Sequence, residues 1–470
     1  MSNSFRKLIG SRSFYKMVLA IVIPIIIQNA ITNFVNLLDN LMVGAIGTEE
    51  MSGVAIANQL ILVFNLAIFG TISGAGIFSS QFHGAGSDEG VRTCFRYKVI
   101  VGAMVTIIGI LLFLLFGKNL IALYLTDTSD PVRRQDTLNY AFEYLRIMVI
   151  GLPAFMITQS YAGTLRETRE TRIPMAASII AVAVNMTFNY LLIFGKLFFP
   201  RLGVAGAAIA TVLSRYVELA FIMIYTHSRT DRFHFARGLY KTMRVPMDMA
   251  ITITKKALPL LANELIWALG ATTLVQIYSF RGLDVVAATN ISSTAWNLFS
   301  TAFMSLGNAA GIIVGIQLGA GKIDTARDYC WKLVAFSAAT GIFFGALLLA
   351  CSNAIPMLYN TSDAVRALSA KMMRCVAVAM PVHAIPHCAY FIMRSGGKTG
   401  ITFVFDSVFS WVVYVPIAYL LTRFCPSMDI VWIYLCVQMA DIIKSIFGIY
   451  LLKRGTWLVN MVGHEGAQEA

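Results

Sequence analysis

Twelve long apolar stretches, separated by short polar loops, limit this 470-residue chain to a membrane-spanning fold. Hydrophobic residues make up 57% of the chain and charged residues only 13%, whereas soluble domains have about 25% charged residues. About 20 residues of helix cross a bilayer, so the pattern predicts an all-α membrane protein with twelve transmembrane helices and no sizeable soluble domain. The predicted spans are 17–46, 53–83, 98–117, 138–163, 173–195, 203–226, 257–280, 285–318, 333–352, 370–393, 400–421 and 428–451.

The formal net charge of +13 indicates membrane topology rather than nucleic-acid binding. Of the 37 Lys and Arg residues, 24 fall in the tails and loops on one predicted side and 9 in the loops on the other. The richer side is expected to face the cytoplasm. We therefore predict a multi-pass protein of the cell membrane, surrounded by lipid, with both termini in the cytoplasm.

Signals for enzymatic or cofactor chemistry are missing from the sequence. The seven cysteines form no C-x-x-C pair, which argues against a disulfide framework or a zinc site. No nucleotide-binding, metalloprotease or serine-hydrolase motif is present. We expect no enzyme activity and no cofactor, and transport through such a chain must then be driven by an ion gradient.

The two halves of the chain resemble each other. Matched positions keep their order at offsets of 228–235 residues: Pro24 with Pro259, Asn58 with Asn290, Gly84-Ala-Gly86 with Gly319-Ala-Gly321, and Arg146 with Arg374. Because each half has six spans, the repeat is parallel. It predicts an N-terminal lobe (1–226), a basic linker (227–256) and a C-terminal lobe (257–470), with alternating access to a cleft between two pseudo-symmetric lobes.

Asp39, late in the first span, is the first candidate for chemistry, because an ionisable side chain inside a bilayer indicates a functional site by default. It is able to carry a proton or to act as the anionic ligand of a small hard cation such as Na⁺. Asn185 and Asn189, on one helical face, and Thr211 offer neutral oxygen ligands. The alternatives are a helix cap for Asp39 and interhelical packing for the amides.

Glu264 follows Pro259 in the seventh span, where the proline frees a backbone carbonyl. Its carboxylate is predicted to bind a cationic substrate or to carry a second proton, and the repeat counterparts Gln28 and Asn263 are predicted to bind substrate as well. The alternative for Glu264 is a salt bridge to an intramembrane arginine.

Other ionisable residues are interpreted as structural. Two pairs of opposite charge three residues apart, Arg215 with Glu218 and Asp441 with Lys444, are expected to neutralise themselves. His383 and His387 lack a third metal ligand, so they predict no metal site, although a proton relay through them stays open. Leu274 stands near the repeat counterpart of Asp39, so the ion is expected in the N-terminal lobe.

Several motifs together resemble the multidrug and toxic compound extrusion (MATE) transporters of the bacterial type, over about residues 15–455. They are Leu38-Asp39-Asn-Leu-Met-Val-Gly44, Gln81-Phe-His-Gly84-Ala-Gly86 with its copy Gln317-Leu-Gly319-Ala-Gly321, Asn185-x-x-x-Asn189, and Gly203-Val-Ala-Gly206-Ala-Ala-Ile-Ala-Thr211.

This resemblance implies two six-helix lobes that export organic cations or other drugs in exchange for H⁺ or Na⁺. It implies that Asp39 couples the ion, with Asn185, Asn189 and Thr211 beside it. Position 189, acidic in some members, is Asn here, so the site has one carboxylate and fits a single proton or Na⁺. We expect a monomer. The alternatives are an oligosaccharide flippase of the same superfamily and a membrane-embedded lipid-modifying enzyme.

Overall fold

A computed structural model describes residues 8–125 and 131–463. Within those residues the chain forms twelve helices long and apolar enough to cross a membrane, as predicted, and no β-strand. They are α1 (Arg12–Gly44), α2 (Thr48–Ala85), α3 (Asp88–Ala122), α4 (Pro131–Glu167), α5 (Arg172–Phe194), α6 (Gly203–Ser228), α7 (Met247–Ser279), α8 (Leu283–Gly319), α9 (Ile323–Cys351), α10 (Asp363–Ser395), α11 (Thr399–Phe424) and α12 (Ile430–Arg454).

Three of the helices are irregular. The helices Pro131–Met148 and Leu152–Glu167 make up α4, joined by a 3₁₀ turn at Val149–Gly151. In α11, two π-helical segments occupy Val404–Val408 and Ser410–Tyr414. Ala440 separates the helices Ile430–Met439 and Asp441–Arg454 of α12. Single π turns inside helices are frequent at functional sites.

Several helices exceed the length that a bilayer requires. The helices α1, α2, α7 and α8 have 33, 38, 33 and 37 residues. The helix α3 reaches 35 residues because its polar beginning is helical as well, with Asp88 and Glu89 in the first turn. Acidic residues at that end favour helix formation through the helix dipole.

The described residues divide into two compact units. The C-terminal unit contains residues 8–26, 80–87 and 258–463, and the N-terminal unit contains residues 27–79 and 88–257, without 126–130. A hydrophobic core of the N-terminal unit includes Leu145 and Leu152. In the C-terminal unit, one core surrounds Leu306 and Ile313 and another surrounds Met372 and Met380. The lobe boundaries inferred from the repeat stay a prediction.

The repeated glycine motifs pack against each other in the C-terminal unit. A Cβ atom on Gly84 would overlap the backbone carbonyl of Ile316, and one on Gly319 would overlap the backbone carbonyl of Gln81. The two helix ends therefore meet backbone to backbone, which only glycine allows. The glycine after each end, Gly86 or Gly321, has a φ of +79° or +70° and ends its helix in the left-handed region.

The buried side chain of Gln81 holds the C-terminal segment. Its Nε2 donates to the carbonyls of Ser395 (2.8 Å) and Val459 (3.1 Å), and its Oε1 accepts from the backbone N–H of Met461 (2.8 Å). Because all these partners are backbone groups, a buried amide at this position satisfies otherwise unpaired atoms.

The predicted basic linker packs against α3 of its own unit. Residues Phe233, Phe235 and Leu239 are buried. Arg92 donates to the carbonyl of Phe235 (3.2 Å), and Arg96 to that of Leu239 (3.1 Å). Arginines of α3 thus fix the segment by satisfying its backbone carbonyls.

Candidate functional site

The four residues predicted around the ion lie together in the N-terminal unit. The Nδ2 atom of Asn189 donates to Oδ1 of Asp39 (2.5 Å) and to Oδ1 of Asn185 (3.1 Å). Asn185 Nδ2 in turn donates to Oγ1 of Thr211 (3.2 Å). Both asparagines are buried. The result is a continuous hydrogen-bonded chain from α6 through α5 to the carboxylate on α1.

The hydrogen bonds of this chain favour a charged or cation-bound Asp39. The amide of Asn189 presents a donor to the carboxylate, and donors stabilise its ionised form. Within the described part of the chain, the buried Oδ1 of Asn189 has no hydrogen-bond partner. This free acceptor belongs to the same side chain that donates to the carboxylate of Asp39. Oxygen atoms of this kind are ligands for small hard cations.

Local sequence explains the approach of α5 to α6. The loop between them begins at Gly195, whose φ of +63° ends α5 in the left-handed region. A Cβ on Gly206 would come within 2.7 Å of the backbone of Leu192. The absence of a side chain at that point lets α6 lie against α5, and the i, i+4 spacing of Asn185 and Asn189 then directs both amides to one side.

Gln28 is engaged in a second polar chain of the N-terminal unit. Its Nε2 donates to Oγ of Ser178 (2.9 Å), whose hydroxyl donates to Oε1 of Glu218 (2.6 Å). The interpretation of Arg215 and Glu218 as one self-neutralising pair is incomplete. The two interact electrostatically, but the carboxylate is hydrogen-bonded to Ser178 and the guanidinium lies 5.1 Å from the ring centre of Phe155.

Asn263 belongs to a polar cluster of the C-terminal unit. Its Nδ2 donates to Oδ2 of Asp406 (3.1 Å) and to the hydroxyl of Tyr390 (3.4 Å). Its Oδ1 accepts from the hydroxyl of Ser407 (2.7 Å). Asp406 also forms an ion pair with Lys444 (2.6 Å). Asn263 is 2% exposed and is held by these neighbours.

Glu264 stands beside that cluster, half-buried on α7. Arg394 attracts its carboxylate and Asp406 repels it. The described residues give this carboxylate no hydrogen-bond donor and no ion pair within 4.0 Å. Of the three residues predicted for the substrate, Glu264 therefore has the least engaged side chain.

The interpretation of Asp441 and Lys444 as a self-neutralising pair is incomplete, because the two attract each other electrostatically but each is hydrogen-bonded to other residues. Asp441 accepts hydrogen bonds from Tyr414 and pairs with Nδ1 of His383, whereas Lys444 pairs with Asp406. The partners come from α10 and α11, which no spacing along α12 reveals. Sequence reasoning also missed Asp406, although a carboxylate inside a predicted span was a sufficient signal.

In the part of the chain that the structure describes, no group of side chains forms a metal site. No three His, Cys, Asp or Glu residues there are placed to hold one ion. His383 is bonded to Asp441, and the ring of His387 packs edge-on against Phe303 and Phe391. The absence of a cofactor stays a prediction.

Comparison with known proteins identifies the family. The MatE family profile matches residues 24–191 and 259–420, one match in each half. The chain belongs to the MatE family. This is a family of transporters, not of enzymes, so the chain is a multi-pass MATE transporter.

The curated relatives agree with this MATE assignment along most of the chain. A probable multidrug resistance protein, YoeA of Bacillus subtilis, is 21% identical over 93% of this chain and 94% of its own length. The multidrug resistance protein MdtK of Pectobacterium atrosepticum is 25% identical, with 86% of each chain covered. These names do not favour the alternative of an oligosaccharide flippase.

Solved structures show the same fold. The crystal structure of a MATE protein in complex with MaL6 matches with a TM-score of 0.83 and 16% identity, over 97% of this chain and 99% of that one. An outward-facing multidrug resistance MATE transporter of the MOP superfamily matches with the same TM-score, identity and coverage. The predicted two-lobe, twelve-helix fold is thereby confirmed.

Proposed function

We propose that this MATE transporter is a secondary active antiporter of the cell membrane. It acts as a monomer and exports organic cations or other drugs in exchange for H⁺ or Na⁺ by alternating access. The observation that carries the proposal is the hydrogen-bonded chain of Thr211, Asn185, Asn189 and Asp39. One carboxylate among neutral amide and hydroxyl oxygens suits a single monovalent ion, bound as a proton on Asp39 or as Na⁺ beside it.

Efflux from inverted vesicles tests the role of Asp39. We expect Asp39→Asn to lower gradient-driven efflux of a fluorescent organic cation by at least about tenfold, because proton or cation binding at this position needs the carboxylate. Separate pH and Na⁺ gradients, each imposed without the other, identify the coupling ion. The exposed acid Asp136 supplies the control variant Asp136→Asn, which is expected to transport like the wild type.

Equal efflux by Asp39→Asn and wild type under both gradients would contradict the proposal. Loss of efflux in Asp136→Asn as well would show that the assay responds to any removed carboxylate. Binding of the dye at equilibrium, measured without a gradient, separates a coupling defect from a loss of substrate affinity.

The carboxylate of Glu264 is proposed to bind the cationic group of the substrate, and Asn263 and Gln28 are proposed as further substrate-binding residues. We expect Glu264→Gln to weaken binding of a fluorescent organic cation by about tenfold, the factor that corresponds to 1.4 kcal/mol. Fluorescence anisotropy of the purified protein measures this affinity. A neutral analogue of the dye is expected to bind both proteins equally, and an equal loss for both dyes would argue against charge recognition.

A further inference from the structure

A chain of polar side chains links three helices of the N-terminal unit. The direction in which its hydrogen bonds are donated depends on one proton. Gln28 on α1 donates from Nε2 to Oγ of Ser178 on α5 (2.9 Å). The Ser178 hydroxyl donates in turn to Oε1 of Glu218 on α6 (2.6 Å). A hydroxyl has one hydrogen to give, so Ser178 can serve only one acceptor at a time.

The hydrogen bond that Glu218 accepts in this structure comes from Ser178, a member of this chain. The charged groups that act on it are Arg215 on its own helix and Arg166 on α4, and α5 contributes the neutral Ser178, which connects it to Gln28 on α1. Arg166 donates from Nε to the carbonyl of Ala162 (3.1 Å) on its own helix. Arg215 packs over Phe155. Both cations therefore act on Glu218 through space.

One acceptor in the chain is unused. Among the described residues, the buried Oε1 of Gln28 has no hydrogen-bond partner. A buried acceptor without a donor is costly. Oε1 of Gln28 gains a donor, and Nε2 gives up Ser178 as its acceptor in exchange, when Glu218 binds a proton from water. Its new O–H bond donates to Oγ of Ser178, the Ser178 hydrogen rotates away from Glu218, and it donates to Oε1 of Gln28 after the amide turns.

In the ionised chain the donors run from Gln28 to Glu218, and in the protonated chain they run from Glu218 to Gln28. Both directions satisfy the hydroxyl of Ser178; the first also satisfies Nε2 of Gln28, and the second satisfies its Oε1. No covalent bond other than the O–H bond of the added proton is formed, and none is broken. The chain therefore has two hydrogen-bonded arrangements that differ by one proton and by the orientation of a side chain on α1.

We propose that Glu218 is a second proton-binding residue of the N-terminal unit, and that Ser178 transmits its protonation state to Gln28 on α1. This site is separate from the chain of Asp39, which uses Asn189 and Asn185 of α5. The consequence for transport rests on the proposed antiport: a proton on Glu218 changes how α1 is held. The proton site itself does not depend on antiport.

Infrared difference spectroscopy of the full-length protein in liposomes, between pH 8 and pH 5 and without substrate, tests the site directly. A protonated carboxylic acid has a carbonyl band that the ionised form lacks. We expect Glu218→Gln to remove one such band and Asp39→Asn to remove a different one. We expect Ser178→Ala to shift the Glu218 band, because the acceptor of its O–H is lost, and Ser178→Thr to leave it in place.

A spectrum of Glu218→Gln identical to that of the wild type would overturn the proposal. A Glu218 band that stays at the same frequency in Ser178→Ala would also overturn the proposal, because Ser178 would then not transmit the protonation state of Glu218 to α1. The serine variants keep the test decisive if Glu218→Gln fails to fold, since they leave the carboxylate in place.

Proton-driven efflux then tests the consequence for transport. We expect Glu218→Gln to lower efflux by at least about tenfold and to flatten its dependence on pH, while Glu218→Asp retains the pH dependence. Absence of gradient-driven efflux in the wild type would refute the antiport and leave the infrared result standing. Normal efflux and pH dependence in Glu218→Gln would refute the coupling of this proton to transport.

Discussion

Lys444 and Asp406 form an ion pair between two helices of this transporter. Lys444 of α12 is 11% exposed and pairs with Asp406 of α11, which also accepts from Asn263 of α7. Taking charges out of water is costly, and an ion pair offsets that cost only when both partners are present. The stability of such a pair is therefore strongly non-additive.

Removal of one partner of this pair should destabilise the protein much more than removal of both. We expect Lys444→Met to lower the free energy of unfolding by about 3–5 kcal/mol, because Asp406 is left as an uncompensated buried charge. The double variant Asp406→Leu, Lys444→Met is expected to recover most of the loss. Chemical unfolding of the detergent-purified protein measures both. A double variant as unstable as the single one would contradict this account.

At the scale of elements, the repeated glycine motifs are points of helix contact. The ends of α2 and α8 meet where Gly84 faces the carbonyl of Ile316 and Gly319 faces that of Gln81. Backbone atoms cannot move aside as flexible side chains do, so an added methyl group must separate the helix ends. The glycine motif occurs in both halves because each half contributes one helix end to this contact.

Substitution of these glycines should therefore destabilise the protein. We expect Gly84→Ala and Gly319→Ala each to cost about 1–3 kcal/mol through overpacking. Gly400, at the beginning of α11, has nothing within 4 Å of the place of a Cβ, so Gly400→Ala is the matched control and is expected to be neutral or stabilising. Melting temperatures of the three variants in one detergent provide the comparison, and equal values would refute the close contact.

At the scale of the whole molecule, charge determines how the chain is expected to lie in the membrane. The even number of helices predicts that both ends of the described chain lie on one side, and the predicted side richer in Lys and Arg, 24 against 9, is the side of the two termini. Basic residues near span ends are retained in the cytoplasm during insertion.

Reporter fusions test this topology. We expect green fluorescent protein to fluoresce when fused to either terminus, and alkaline phosphatase fused there to be inactive, because both termini are predicted to be cytoplasmic. A phosphatase fused after Lys196, in a predicted outer loop, is the control and is expected to be active. Active phosphatase at a terminus would reverse the predicted orientation.

The sequence by itself determined the twelve spans, because lipid requires long uninterrupted apolar helices. It determined the repeat as well, because glycine and proline are needed at the same backbone positions in each half. The cluster of Asn185, Asn189 and Thr211 was also predictable, since two of its members share one helical face and all three lie on consecutive helices.

Only the tertiary structure decided which charges meet. The i, i+3 spacing of Asp441 and Lys444 suggested a pair, but packing brings Tyr414 and His383 to the first and Asp406 to the second. The partner of Glu218 is likewise Ser178, 40 residues away. Helical periodicity describes the faces of one helix, whereas the partner of a buried charge is chosen by packing between helices distant in sequence, where a low dielectric makes the nearest partner decisive.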